Sequence, residues 1–556
     1  MVTPARPLVS PSILTMSLAQ LDPLPLLSTG ESDRSGLSDQ SRPSKQISDI
    51  KREVLVIEGQ ISDIEHKVLL LQGQIRELAR LKDAKNAEIA ALRNQLLPIH
   101  RLPSEIISLI FEEACRPSSS DSSQENSTLT AAFIPRVCVA WMKISYATPS
   151  IWSQLHLNPE QHYKAITSRD PSWIRSWLSR SGSLPIDLDL NFASRDGFSL
   201  RRRRKACQSM TVFLEFRERI RSLVVRAELR IILPLFRLPP FSFPRLEMVD
   251  IHTAPGYEEA LDLIQIRAFA GAPNLKEIRL REMENSHILL GRMDLPIEQL
   301  TALQIDVSSA QEVQYFDILS RCAKLTSLDM CMSCIYWDAI ISDGTQIALP
   351  SLQSLSLSCH PNSSLVRCIT APLVTDLRMT FRGNQDIRIH ARDLVQFQHR
   401  SSTTLTSLTL TDLPFASEGN RISDGLTTIL SAFPSVSIFQ MDTVGYYPAT
   451  NPLSFQGLTY TEGSPVLLPK MSCLKLIWTN PYEWGRTAFQ PPVSGLMDMI
   501  LSRTRGSYTG TSIDDDENKH VVRLRKVTLC GIVNGIEEQD IAPIRDIPGL
   551  DVIFSP

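Results

Sequence analysis

Apolar residues in this chain follow two different periods. The first is a heptad. One set of positions is Ile47, Val54, Ile61, Val68, Ile75, Lys82, Ile89 and Leu96; the other is Ile50, Ile57, Ile64, Leu71, Leu78, Lys85 and Leu92. The spacing alternates between three and four, only Lys82 and Lys85 are not apolar, and no proline intervenes before Pro98. More than three sustained heptads predict a coiled-coil helix over residues 47–97. Isoleucine at both kinds of position does not specify a parallel dimer. In a parallel register Glu53 would face Glu58, which repels, and Glu88 would face Arg93, which attracts. A homodimer through 47–97 and a single helix folding its stripe onto its own chain both fit this pattern. Lys82 and Lys85 mark a loosened turn, with stems along the seam and heads in water.

A short amphipathic segment follows at Leu102-Pro103-Ser104-Glu105-Ile106-Ile107-Ser108-Leu109-Ile110-Phe111. Pro103 stands where a first-turn proline costs no backbone hydrogen bond, and Glu105 suits the positive helix end. Ile106, Leu109 and Ile110 share a face, which Phe111 widens. After a serine-rich gap, Val137, Trp141 and Ile144 form a second helical face that Pro149 ends. Helices this small cannot bury enough surface to stand alone, and an apolar patch left outside marks a partner site. Trp173 and Trp177 predict another helix face. Leu184-Pro185-Ile186-Asp187-Leu188-Asp189-Leu190 alternates strictly, the pattern of a strand with one buried face.

The second period is longer. An apolar triplet recurs as Ile220, Leu223, Val225; Leu246, Val249, Ile251; Leu275, Ile278, Leu280; and Leu300, Leu303, Ile305. It continues as Leu325, Leu328, Met330; Leu352, Leu355, Leu357; Val374, Leu377, Met379; and Leu405, Leu408, Leu410, with weaker copies at Val436, Met471 and Leu524. Through Leu405 the starts lie 22 to 31 residues apart. That period predicts a leucine-rich-repeat solenoid over 157–556, irregular because the asparagine ladder of regular repeats is missing. Ordinary strands in a non-repeating α/β domain also fit. Residues 1–46, rich in Ser and Pro, and an insertion near 503–520 containing Asp514-Asp515-Asp516-Glu517 read as disordered.

The stretch 98–156 resembles an F-box. The matching residues are Leu102, Pro103, Glu105, Ile106, Ile110, Phe111, Val137, Cys138 and Trp141, followed by Pro149 and Trp152. The arrangement is most similar to fungal F-box-like proteins that place a heptad helix just before the box. Val139 and Ala140 stand where that family usually has basic residues. The resemblance implies docking on the adaptor subunit of a cullin–RING ubiquitin ligase, chiefly through Leu102, Pro103 and Ile106, with the other matching residues touching the adaptor or holding the box together. A C-terminal domain would then offer its surface to a target protein that the sequence does not name.

Composition narrows the function classes. At 556 residues the chain exceeds one compact core. A net charge of −3 gives no bulk attraction to nucleic acid or membrane. Ten scattered cysteines fit reduced thiols in cytoplasm or nucleus, and no apolar run approaches the about 18 residues of a membrane span. No phosphate loop, dinucleotide fingerprint, zinc-protease helix or nucleophile elbow appears. Cys331 and Cys334 form a lone Cys-x-x-Cys without a second pair, and His360 beside Cys359 reads as structural. Arg201-Arg202-Arg203-Arg204-Lys205 reads as a solvated helix start, with an import or phosphate patch as the sharper alternative.

The expected fold is therefore a helical coiled coil and helical F-box followed by an α/β leucine-rich-repeat solenoid, in domains 1–46, 47–97, 98–156 and 157–556. No catalytic residue, cofactor or metal is expected. The expected function is recruitment of a target to a ubiquitin ligase. The alternative is an interaction scaffold in which the box helices only cap the solenoid. A free Leu102–Phe111 face favours the first, a buried one the second.

Overall fold

The structure, a computed structural model, describes residues 41–96, 98–116, 121–157, 171–193, 200–254, 265–282, 289–307, 313–332, 346–359, 365–381, 387–413, 419–444, 455–461, 465–479, 495–505, 521–530, 544–545 and 547–555. Most of the expected N-terminal tail, the insertion from residue 506 onward, Cys334 and His360 lie outside them. The chain divides into two units, Met1–Arg101 and Leu102–Pro556.

The first unit is a single helix, α1 (Ser41–Leu96), and a short 3-10 turn, Pro98–Arg101. Its sequence is rich in Leu, Glu, Lys, Arg, Gln and Ala, all good helix formers, and Pro98 stops it. Arg93 suits the negative end of the helix. Surface pairs one turn apart, Arg52–Asp49, Arg80–Glu77 and Lys85–Glu88, add a few tenths of a kcal/mol each. Every side chain described along α1 is exposed, the heptad stripe included.

The second unit is built on one parallel sheet. Its strands begin with β1 (Gln154–Leu157), β2 (Ile186–Asn191), β3 (Ile220–Glu228), β4 (Met248–Ala254), β5 (Glu277–Glu282), β6 (Ala302–Val307) and β7 (Ser327–Met332). They continue with β9 (Ser354–Cys359), β11 (Asp376–Phe381), β12 (Ser407–Thr411), β13 (Ile438–Val444), β14 (Cys473–Thr479), β15 (Lys526–Cys530) and β16 (Asp551–Ser555), while β8 (Ile347–Ala348) and β10 (Ile369–Thr370) pair separately. The 14 strands of the large sheet lie side by side in chain order.

Register explains the core. Leu188, Leu223, Val249, Ile278, Leu303 and Leu328 are successive partners, and so are Leu190, Val225, Ile251, Leu280, Ile305 and Met330. Both rows point to the same face because side chains alternate along a strand. Their members are 0–2% exposed. The rows continue through Leu408–Phe439–Leu474–Val527 at the other end. In the connection before β15, the fully buried Arg503 donates to the carbonyls of Leu458, Leu467 and Leu468 at 2.6, 2.6 and 3.0 Å. Such bonds satisfy a cation that has no water around it.

The expected fold class is corrected. The described chain is an α/β fold carrying one 14-stranded parallel sheet, not a helical box beside a repeat solenoid. The apolar triplets do fall on strands, but the connections differ in kind. One holds the 15-residue helix Ile387–Ser401; the described part of another holds the two-residue strand β8. Among the described connections no uniform unit recurs. Nor is the box a separate helical layer, because β1 begins inside 98–156 and forms the first strand of the sheet. The hydrophobic core runs without interruption from Ile107 to Leu550. The expected coil is, within this chain, a lone helix.

The two edges of the sheet differ. At β1, Leu155 and Leu157 are buried at 0% and 3%. At β16, Val552 and Phe554 are partly exposed and Ile553 is 38% exposed.

Candidate functional site

The helices before β1 form the first candidate surface. They are α2 (Ser104–Ala114), α3 (Asp121–Phe133) and α4 (Val139–Tyr146). Pro103 is the N-cap of α2, and its carbonyl accepts from the amides of Ile106 and Ile107 at 3.1 and 3.2 Å. Glu105 sits exposed in the first turn, near the positive end of the helix.

Helix α2 is apolar on two sides. Ile107 and Phe111, four residues apart, are buried at 3% and 2%. Leu102, Ile106, Leu109 and Ile110 remain 39%, 42%, 58% and 42% exposed. The sequence pattern grouped Phe111 with the outward residues; the structure turns it inward, where its ring packs on Trp141 at 5.0 Å between centroids. Phe111 and Trp141 therefore hold the helices together, and Ile107 shares that work.

The Val-Cys-x-x-Trp segment divides its tasks in a similar way. Cys138 is extended and caps α4, its Sγ accepting from the Trp141 amide at 3.5 Å. Val137 and Val139 point outward at 59% and 64% exposure. Phe133 is also exposed, with the Arg136 guanidinium 5.7 Å from its ring centroid.

Beneath this surface the helices are fastened to the sheet. Trp152 is 1% exposed, donates from its indole to the Ser145 carbonyl at 2.7 Å, and meets Trp177 edge-on at 4.7 Å. The His156 amide of β1 donates to Thr128 Oγ1 of α3 at 2.9 Å. Ser150 donates to Glu112 at 2.5 Å, and Thr148 to Ser108 at 3.0 Å. The inward face is thus used up, and no described residue of this unit covers the outward face.

A second surface lies on the polar face of the sheet from β1 to β6. Strict alternation puts Asp187 and Asp189 there from β2, Arg226 from β3, Asp250 and His252 from β4, and Arg279 and Arg281 from β5. Arg221 grips Asp187 through two bonds of 3.0 and 2.6 Å. Arg226 reaches Asp189 at 2.7 Å, and His156 lies 3.6 Å from that carboxylate. A groove of about 340 Å³ opens between Gln154, His156, Asp189, Arg221 and Glu247. Burial pushes the Asp250 carboxyl up, opposed by Arg281, Arg226 and Arg279. Burial pushes His252 down, and Arg281 and Arg226 add to the effect. No motif in the sequence marked these charges as a site. The signal was available in Asp187-Leu188-Asp189 and Arg279-Leu280-Arg281, whose polar residues must share a face. Which strands would stand beside one another was not available.

Burial pushes the Cys115 and Cys322 thiols up to about 11, which keeps them protonated and weakly nucleophilic. Arg203 of the basic run is engaged with Glu228 at 2.7 Å. Among the described residues, no helix is long and apolar enough to cross a membrane. Comparison with known proteins finds no family model and no curated protein that matches this chain.

Proposed function

We propose that this protein is a non-catalytic recruiting subunit. Its α2 face docks on the adaptor of a cullin–RING ubiquitin ligase, and the polar face of its sheet holds a target protein. One observation carries the reading: Leu102, Ile106, Leu109 and Ile110 stand exposed while Ile107 and Phe111 anchor the same helix. A segment that only covered the sheet edge would need its inward face alone. Four large apolar side chains outside that role form the kind of patch that marks a protein interface. The F-box resemblance of Leu102, Pro103, Glu105, Ile106 and the Val137-Cys138…Trp141 segment supplies the identity of the partner. The target remains unnamed; the charged rows on β2–β5 favour a polar, charge-complementary one.

The protein would make no bonds itself. Holding a target lysine near a loaded conjugating enzyme raises its effective concentration, and that positioning is the whole contribution to rate.

A pull-down with purified ligase adaptor tests the reading. Leu102→Ala/Ile106→Ala is expected to weaken binding by about 1–3 kcal/mol, the ordinary range for interface anchors, while leaving thermal unfolding unchanged. If folded wild-type protein does not bind the adaptor, the assignment fails and an interaction scaffold takes its place.

A further inference from the structure

Helix α1 carries an apolar stripe that is exposed along its described length. Its seam residues are 44% (Val68) to 65% (Leu78) exposed, from Ile47 to Leu92, interrupted only by Lys82 and Lys85. A stripe of this length left wet marks an interface. A strip about 70 Å long and about 10 Å wide removes roughly 1,400 Å² from water when two copies meet, within the usual range for a stable dimer.

Charge decides the direction of pairing. Between residues 53 and 65 the helix carries Glu53, Glu58, Asp63 and Glu65 and no lysine or arginine. Between 74 and 86 it carries Arg76, Arg80, Lys82 and Lys85 against Glu77 and Asp83. A parallel pair would lay the acidic stretch on itself and stack Lys82 on Lys82 and Lys85 on Lys85. In an antiparallel pair Val68 meets Leu71, Ile64 meets Ile75 and Ile61 meets Leu78, so the apolar matches are kept. Lys82 then stands opposite Ile57, which adjoins Glu58, and Lys85 opposite Val54, which adjoins Glu53. Lys82 gains an acidic neighbour outright; Lys85, already paired with Glu88 of its own helix, gains little more. The parallel pair would gain Glu88 against Arg93. That gain is small, because Glu88 is already held by Lys85 of its own helix at 2.8 Å.

We propose that two copies of this chain pair through α1 in antiparallel sense, with the acidic stretch 53–65 of each on the basic stretch 74–86 of the other. The two helices then leave the seam at opposite ends, their C-termini roughly 80 Å apart. This proposal does not rest on the ligase reading and can fail without it.

Cysteine cross-linking in the full chain tests the direction. In the antiparallel register residue 50 faces residue 89; in the parallel register residue 50 faces its own copy. Ile50→Cys and Ile89→Cys are prepared separately and oxidised alone and mixed, with wild type as background. The expected result is a covalent dimer above background in the mixture only, and twice the chain mass for wild type by light scattering. Cross-linking of Ile50→Cys alone overturns the antiparallel sense. A monomer mass with no cross-link overturns self-pairing and assigns the stripe to another occupant. Glu53→Lys/Glu58→Lys should weaken the dimer about tenfold, and adding Lys82→Glu/Lys85→Glu to the same chain should restore it.

Discussion

Ile61 and Leu303 occupy similar places in two apolar rows, one along a helix and one across a sheet. Leu303 is 2% exposed, walled in by its row partners Ile278 and Leu328, while Ile61 is 50% exposed. The two rows differ in where the complement comes from. Each strand from β1 to β15 is followed by another of the same pattern, so its rows find their match inside the chain. Helix α1 has a single copy of its stripe, which the proposed pairing would match with a second chain. A periodic pattern specifies that a surface is to be covered; it does not specify by what.

The largest expected effect separates these two rows. Leu303→Ala should destabilise the sheet unit by about 2–5 kcal/mol, since it opens a cavity in a packed core. Ile61→Ala should leave that unit's thermal unfolding in place and instead lower the mass seen by light scattering at dilute concentration. An equal loss of melting temperature in both variants would erase the distinction.

Helix α2 repeats the comparison within three turns. Phe111→Ala should cost about 3–5 kcal/mol of stability, because its ring holds Trp141. Ile110→Ala, on the outward face, should stay within about 0.5 kcal/mol of wild type. Denaturant titrations of the two variants side by side measure the contrast, and similar midpoints would mean that α2 has no free face.

The smallest effect concerns the polar side of the sheet. His252 is held below the ordinary histidine value by burial and by Arg281 and Arg226, with Asp250 and Asp306 pulling the other way. Folding therefore favours its neutral form. Its contribution to stability is fully present above the unfolded value of about 6.5 and is lost as pH falls from there through the lower folded value. His252→Asn should flatten the fall in stability between pH 7.5 and 5.5. An unchanged slope would show that another group carries the acid sensitivity.

These contrasts also separate what could be read from the residues. The strands were legible because Leu223–Val225 and Leu303–Ile305 keep the period of two that a half-buried strand requires. The fold class was not, because the pattern marks strands and says little about what joins them. On α2 the direction of burial was hidden, since Ile106, Ile107, Ile110 and Phe111 make both sides apolar and only packing on Trp141 decides. Cys138 as a cap was invisible, because a thiol accepting from a backbone amide has no sequence signature of its own. The pairing of Asp187 with Arg221, 34 residues apart, depends on register, which no local pattern carries.

The unlike edges of the sheet give it a direction in time. At β1 the terminal row is sealed under the α3 and Trp152 packing, whereas β16 leaves Val552 and Phe554 partly wet. Opening should begin at the wet edge and travel inward like an unfastened zip, since local unfolding starts where few apolar contacts must be broken. Amide protons of β16 and then β15 would exchange first, those of β3 and β4 last. The α2 face, at the far end of that sequence, would be among the last parts of the sheet unit to lose its shape.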